Sequence, residues 1–458
     1  MSSVEAPRRG AGAAADQTVV TGWGRTSQVP VTLVRPADTG AVAELLAGEA
    51  PRRGLIPRGA GRSYGDAAQN RDGLVLDMGA FSGIHSIDPR SREVRVGAGT
   101  RFTELLRALA ADGLTLPVVP GTAHLSVGGA IAADVHGKNH PRDASFSRQV
   151  RAFKLCTPAD GECEITVESN PGLFEATLGG MGLTGAITEA TLSTTVLGRP
   201  CQIADVDRVG SIEEACELID AGDHSHAIAW IDLMARGRAF TRAVVTRSRE
   251  GRPPAAPPSL DLASDREGLI ARMPAALLRP ASVRAFNRLL WLRAPQRARE
   301  RPLAVGEALF PLDAVGGWNR LYGRRGLVQY QFAVPDGEEW TLRCVVEMLR
   351  AQGVPMYLAT LKRFGEASGG MLSFPLRGWT MAIDMPGGAP GLAAALDRAD
   401  ALVATAGGRV YLAKDARMSP EQLAAMYPGL SRFLEVRARV DPHETLRSDL
   451  SRRLGLTR

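Results

Sequence analysis

The sequence predicts an α+β protein of two domains, and three observations carry that expectation. Short apolar stretches alternate with amphipathic helical ones from Val31 onward. Glycines gather at loop positions beside those stretches, not at a fixed repeat. Finally, 458 residues exceed what one simple core serves, so units of roughly 200 residues are expected. With 45% hydrophobic and 23% charged residues, the chain has a globular composition.

The elements follow in order. The tract 11–17 (AGAAADQ) reads as a disordered lead-in without the apolar core of a secretory signal. VTLV reads as a strand, AVAELLAGE as a helix, and LIPRG as a second strand that runs into GAGRSYGDAA. LVLDM and VRVGAGT are further strands, and TELLRALAADG is a helix closed by Gly113. Ser126 is placed to N-cap a helix beginning VGGAIAADV, whose N-terminus would face an anion. In VQYQF, Val328, Tyr330 and Phe332 share one side, Gln329 and Gln331 the other. The paired glutamines suit a sugar pocket or the wet face of an edge strand.

Residues 251–303 break this texture with concentrated proline and arginine. Leu269, Ile270, Leu277, Leu278, Phe286, Leu289, Leu290, Trp291 and Leu292 interleave with Arg272, Arg279, Arg284, Arg288 and Arg293. Pro274, Pro280 and Pro295 limit any helix there to short pieces. The segment reads as a surface excursion with a partly buried helix or as a basic, apolar-faced flap that touches lipid or a lipid-linked phosphate.

The 55 Lys+Arg against 49 Asp+Glu leave a net charge of +6. No run of five basic residues occurs and only 5% of residues are aromatic, so no nucleic-acid partner is expected. Lysine occurs only at 138, 154, 362 and 414, so each one stands out against the arginine background. Cysteines at 156, 163, 201, 216 and 344 form no CxxC pair, which argues against a disulfide framework or a zinc site and for a cytoplasmic location. No stretch of 18 apolar residues is present.

RGAGRSYG (58–65) is neither GxGxxG nor GxxxxGK[ST]. A glycine loop after a strand still aligns backbone N–H groups for a pyrophosphate, and Gly128 and Gly129 let a flat ligand approach the backbone. Each cluster alone is more often a turn; three of them, with LGGMGLTGAIT, point to one extended cofactor.

RGAGRSYGD, PVVPGT with SVGGAIAADVHGKNH, and LGGMGLTGAIT together resemble the FAD-binding half of the vanillyl-alcohol oxidase / p-cresol methylhydroxylase (PCMH-type) superfamily. More narrowly, TGWGRT, SYGDAAQN, DVHGKNH, WNRLYG, VQYQFAVP, YLAKDAR and VDPHETLRSDLSRRL resemble the decaprenylphosphoryl-β-D-ribose 2′-oxidase family of actinobacteria. The resemblance implies a two-subdomain FAD-binding domain over 1–199 and a substrate-binding cap with a large antiparallel sheet over 200–408. It further implies that 409–458 returns to the FAD domain. By position, FAD contacts fall on Pro57, Arg58, Gly59, Ala60, Gly61, Arg62, Ser63, Tyr64, Gly65, Asp66 and Ala67. Gly121, Thr122, Ser126, Val127, Gly128, Gly129, Ala133, Asp134, Val135, His136, Gly137, Ile187 and Tyr411 complete that set. Many covalent members of the superfamily carry a histidine where this loop has Arg62, so the FAD is expected to be dissociable.

The implied reaction is oxidation of the 2′-hydroxyl of a polyprenyl-phospho-β-D-ribose. A separate NADH-dependent ketoreductase would complete epimerisation to an arabinose donor for the cell wall. Such a reaction needs a hydride acceptor and a group that takes the hydroxyl proton. The resemblance implies that Lys414 lies next to the flavin ring and the reacting hydroxyl, and a lysine buried there beside other cations loses its proton readily; His136 and Tyr64 are alternatives. Lys138, Trp230, Gln329, Gln331, Lys362, Phe364, Thr380 and Ala382 are the expected substrate contacts, together with Lys414. Each has a bland reading too: a loop lysine, a core tryptophan, a structural histidine. Ala382 and Thr380 stand where mycobacterial members carry cysteine and asparagine, and Leu309 and Phe310 replace a Tyr-His pair. The exact sugar is therefore open. A peripheral site at the inner face of the plasma membrane is compatible with a lipid-linked substrate. The competing readings are a soluble alditol, sugar or nucleoside oxidase and a non-catalytic flavin-binding scaffold.

Overall fold

A computed structural model describes residues 14–198, 201–251, 262 and 278–458. Helices and strands are mixed throughout, as expected of an α+β chain. The N-terminal part builds two sheets. In the first, Val29–Arg35 lies between Ala14–Val20 and Leu74–Asp77, and Leu55–Arg58 closes the far edge. Leu74, Val75 and Leu76 are fully buried, as a central strand paired in parallel on both sides requires. Ala14–Gln17 is thus not a disordered lead-in: it pairs antiparallel with Thr32–Arg35. Positions 11–13 lie outside the described residues.

The second sheet has five antiparallel strands, ordered Ile84–Asp88, Glu93–Gly97, Ala186–Ser193, Val150–Thr157 and Gly161–Thr166. Helix Phe102–Ala111 buries Phe102, Leu105, Leu106 and Leu109, the single apolar stripe that its spacing predicts. Gly113 ends that turn at φ +70°, a left-handed position that glycine adopts without strain.

Among the described residues, strands from Cys201–Val209 to Arg409–Val410 form one eight-stranded sheet. Strand Leu327–Pro335 is not an edge: it pairs with Gly378–Pro386 on one side and Arg409–Val410 on the other. The Tyr330 hydroxyl donates to Asp400 on helix Leu392–Thr405 (2.9 Å), so that side of the strand faces helices. Gln329 and Gln331 consequently point the other way, as the alternation predicts.

The chain end returns to the first sheet. Leu55 N–H donates to Thr445 O (2.9 Å) and Arg447 N–H to Leu55 O (2.9 Å). Arg453 bridges Asp66 (2.9 Å) and Asp415 (2.8 Å), which fastens the last helix to the glycine loop. The basic segment carries the partly buried helix expected of it, lying between Pro280 and Pro295. Pro280 opens a 14-residue helix, Pro280–Arg293, at its first turn, where its missing N–H costs nothing, and Pro295 lies beyond its end. Leu269, Ile270, Arg272, Pro274 and Leu277 lie outside the described residues. Among the described residues, no helix is long and apolar enough to cross a membrane.

Candidate active site

The glycine loop after Leu55–Arg58 is shaped by its neighbours. Arg58 donates to Ala68 O (2.9 Å) and Thr21 O (2.8 Å), so its guanidinium braces the loop from behind. Trp23 N–H donates to Ser63 O (2.8 Å), Gly24 N–H to Tyr64 O (3.0 Å), and Tyr64 N–H to Ala413 O (2.9 Å). TGWGRT, the glycine loop and YLAKDAR therefore meet at one place. Glycine is required at 65, where a Cβ would stand 1.8 Å from the backbone oxygen of Asp415; at 59 a Cβ would stand 2.0 Å from Ser126 Oγ and displace that hydroxyl.

A cavity of about 330 Å³ runs from this loop past Gly121, Thr122 and Ser126 to Met181 and Ile187, and on to the eight-stranded sheet. Of the expected cofactor contacts, its wall takes Pro57, Gly59, Ala60, Gly61, Arg62, Ser63, Tyr64, Ala67, Gly121, Thr122, Ser126, Gly128, Gly129, Ala133, Val135, His136, Ile187 and Tyr411. The others support that wall from behind. Asp66 is held by Arg453, and Val127 is core. Gly137 fits tightly against Asn139 and Val119 O. Asp134 is a buried hub that accepts from Ser145, Ser147 N–H, Ser368 and Ser373.

The helix at Ser126 departs from expectation. It spans only Val127–Ala132, and the Ser126 hydroxyl does not cap it. That oxygen turns to Ala60 N–H (3.4 Å) because Gly59 approaches so closely. Val127 and Gly128 N–H are already taken by Thr100 O and Ala98 O (3.0 and 2.8 Å), so they are not free for an anion.

The sheet side of the cavity carries Gln329, Gln331, Thr360, Lys362, Ala382, Asp384 and Lys414. Cross-strand pairing sets Ala382 between Gln331 and Thr360. Lys414 Nζ stands 3.6 Å over the Tyr64 ring. Burial pulls its pKa down, the negative field of Asp384 pulls it back up, and Lys362 lowers it again. Burial conversely raises Asp384, which accepts from Gln329 Nε2 (2.6 Å) and is 1% exposed. Asp384 Oδ2 has no hydrogen-bond partner among the described residues.

The two alternative proton acceptors are placed for other work. His136 Nε2 meets Gln331 Nε2 at 2.9 Å, so the imidazole lone pair accepts from that amide. Burial, with Lys362, His140 and Lys414 around it, holds His136 neutral. Its ring packs against Phe364, Phe374 and Tyr411. Burial and then Asp384 push the Tyr64 hydroxyl well above the usual phenol range, so it stays protonated.

Among the expected substrate contacts, Lys362 lines the cavity and burial brings it down to about 8. Lys138 is lowered to about 7 by burial and then Lys362, but it does not line the cavity, and its ammonium donates to Ala308 O. Trp230 lies directly opposite Thr360, one strand away from the wall. Phe364 is buried between His136 and His140. Thr380 is buried, donates to Phe332 O (2.9 Å) and accepts from Gln331 Nε2 (3.3 Å). Lys154 is a surface residue beside Glu189.

Sequence reasoning missed three features of the wall. Asp384 was legible, because strand alternation puts it on the face of Thr380 and Ala382. Trp23 stacks on Arg62 (4.2 Å) and meets Trp318 edge-on (6.4 Å), joining TGWGRT to WNRLYG. Buried His124 faces Asp313 at 3.8 Å, a pairing of distant segments that no local pattern announces.

These residues fit FAD. Bare glycine backbone at 59, 61, 121, 128, 129, 182 and 185 forms much of a mainly apolar wall, suited to an elongated, flat ligand. Arg62, Lys362 and Lys414 supply positive charge, and both ring nitrogens of His124 lack hydrogen-bond partners among the described residues. Among those residues no metal-binding cluster occurs.

Comparison with known proteins agrees. Residues 30–167 match the FAD binding domain family and 391–454 the D-arabinono-1,4-lactone oxidase family. A decaprenylphosphoryl-β-D-ribose oxidase of Mycolicibacterium smegmatis is 37% identical over 95% of this chain and 97% of its own. An uncharacterized protein of Streptomyces coelicolor is 39% identical over 78% of this chain and 99% of its own. An alditol oxidase of a Streptomyces species is 32% identical over only 38% of this chain and 41% of its own. With a FAD-binding domain, a cavity that fits the cofactor and likeness along nearly its whole length, this FAD-dependent oxidoreductase belongs to the decaprenylphosphoryl-β-D-ribose oxidase family.

Proposed function

We propose that the enzyme oxidises the 2′-hydroxyl of a polyprenyl-phospho-β-D-ribose to the ketone. The observation that carries this reading is that Lys414 and Asp384 share the wall of the FAD cavity, where the carboxylate's field reaches the ammonium, in a chain so like the mycobacterial oxidase. The residues at 57–67, 121–137, 187 and 411 named above hold FAD, which when bound accepts the hydride leaving the alcohol carbon. Lys414, its proton loosened by burial, takes the hydroxyl proton at Nζ. Asp384 sets how readily it does so, and Gln329 keeps that carboxylate in place. Gln331 and the protonated Tyr64 hydroxyl orient the sugar, and the Lys362 ammonium meets a sugar or phosphate oxygen. Lys138 acts one layer back, holding the 305–309 turn through Ala308 O. The Ala382 methyl leaves no thiol on the wall.

Residues 1–199 and 409–458 serve as the cofactor unit and 200–408 as the cap. A separate NADH-dependent ketoreductase would reduce the ketone to the arabinose epimer, at the inner face of the plasma membrane where a polyprenyl substrate resides. With Arg62 stacked on Trp23, no imidazole stands at that loop position to bond the flavin, so FAD is held without a covalent link. Anaerobic mixing with decaprenyl-phospho-ribose, free alditols and nucleosides, followed by flavin bleaching, tests the assignment. Bleaching by the lipid-linked ribose is expected; bleaching by free alditols alone overturns it.

A further inference from the structure

Helix Pro280–Arg293 is held to the cap along one edge. Val283 packs with Met234 and Tyr357, and Asn287 Nδ2 donates to Asp232 Oδ1 (3.2 Å). One turn on, the Trp291 indole lies between the Arg208 and Arg242 guanidiniums, each 4.5 Å from its ring. Positions 283, 287 and 291 make one stripe, so the helix is clamped along it. Away from that stripe, Phe286, Leu289, Leu290 and Leu292 are 58, 44, 40 and 56% exposed. They are four of the ten large apolar side chains exposed among the described residues, which is a patch and not scattered background.

The helix and the strand that follows it are basic. Arg279, Arg288 and Arg293, with Arg297 and Arg301 of the edge strand Arg297–Ala304, are all exposed. None pairs with a carboxylate among the described residues. The single acid of 280–304, Glu300, is held by Arg249 (3.2 Å). The patch also stands close to the cavity. Val283 and Tyr357 pack with Tyr322, whose ring meets that of Trp318 (6.3 Å), a wall residue.

We propose that this face docks on an anionic phospholipid bilayer. The four apolar side chains enter the acyl boundary, and the guanidiniums around them meet lipid phosphates. The three exposed guanidiniums on the same helix as the apolar face complement a sheet of phosphates better than a mixed-charge protein surface. The inference deepens the proposed function and rests on its lipid-linked substrate, since docking brings the Trp318 wall to the surface that holds such a substrate.

The test is co-sedimentation of the FAD-loaded full chain with phosphatidylcholine vesicles, with and without phosphatidylglycerol. Binding is expected on the anionic vesicles and should weaken with salt. Phe286→Glu/Leu290→Glu should lower affinity by about tenfold or more, because each side chain loses the gain of apolar burial. Arg288→Ala/Arg293→Ala should remove mainly the preference for anionic lipid. FAD content should stay at the wild-type level in both variants, which shows that they fold. Wild-type protein that stays in the supernatant, or a Phe286→Glu/Leu290→Glu variant that sediments equally well, overturns the proposal. So does a patch that joins two copies in light scattering without binding vesicles. Bleaching by detergent-dispersed decaprenyl-phospho-ribose reads the proposed function separately, so loss of vesicle binding with bleaching retained removes the surface alone.

Discussion

Replacing Asp384 with asparagine isolates what the buried carboxylate does to Lys414. The amide keeps an oxygen to accept from Gln329 Nε2, now 2.6 Å away, and puts its NH₂ where Oδ2 has no partner among the described residues. Shape is thus retained and only the charge is lost. In the native site Asp384 raises the Lys414 pKa against burial and Lys362, so removing it lowers that pKa further. A nearby opposite charge is worth about 1–3 pKa units in a buried site, at ~1.4 kcal/mol for each. If neutral Lys414 accepts the proton, substrate-driven bleaching rises with pH through its pKa. That rising limb should therefore move to lower pH in Asp384→Asn, by about one pH unit or more. On the acid side of the native limb, the variant should be faster, by less than about tenfold for every pH unit that the limb moves because the weaker base accepts the proton less readily. Stopped-flow bleaching under anaerobic conditions across pH measures this directly. A limb that stays in place or moves to higher pH refutes the reasoning. Loss of bleaching at every pH would instead make Asp384 the acceptor.

Other consequences follow from the same geometry. Lys414→Met should retain FAD, read by absorbance, and lose about 10²-fold or more in the rate of bleaching. Arg453→Ala leaves Asp66 and Asp415 facing each other, partly buried, so urea unfolding should show a loss of about 3 kcal/mol, with weaker FAD retention. Acid precipitation should leave the yellow colour in the supernatant; a yellow pellet contradicts the role given to Arg62. Reagents that attack a thiol at position 382 should leave the native chain unmodified there by mass spectrometry. Ala382→Cys should gain an adduct, since that side chain lines the cavity.

Local chemistry was legible where one segment carries the whole message. The glycine loop, HGKNH and the scarce lysines are such segments, and Lys362 and Lys414 both reach the cavity wall. Prediction failed where a distant segment decides the outcome. Ser126 has the identity and backbone of a helix cap, yet its hydroxyl is claimed by Ala60 N–H because Gly59 packs against it. Ala14–Gln17 looks like low-complexity lead-in, but the open edge of Val29–Arg35 supplies its ladder.

Asp384 shows why this boundary lies where it does. Alternation alone places Thr380, Ala382 and Asp384 on one face of their strand. It does not say what that face meets. The register supplies the rest, setting Gln329 opposite Asp384 and Gln331 opposite Ala382. A slip of one residue would turn Met381 and Ile383, now fully buried, toward the cavity. Those apolar side chains, together with Tyr330 bonded to Asp400, hold the register from the helix side. The packing that sets a carboxylate beside Lys414 is therefore done by residues with no part in the chemistry, and sequence reading aimed at reactive groups passes over them.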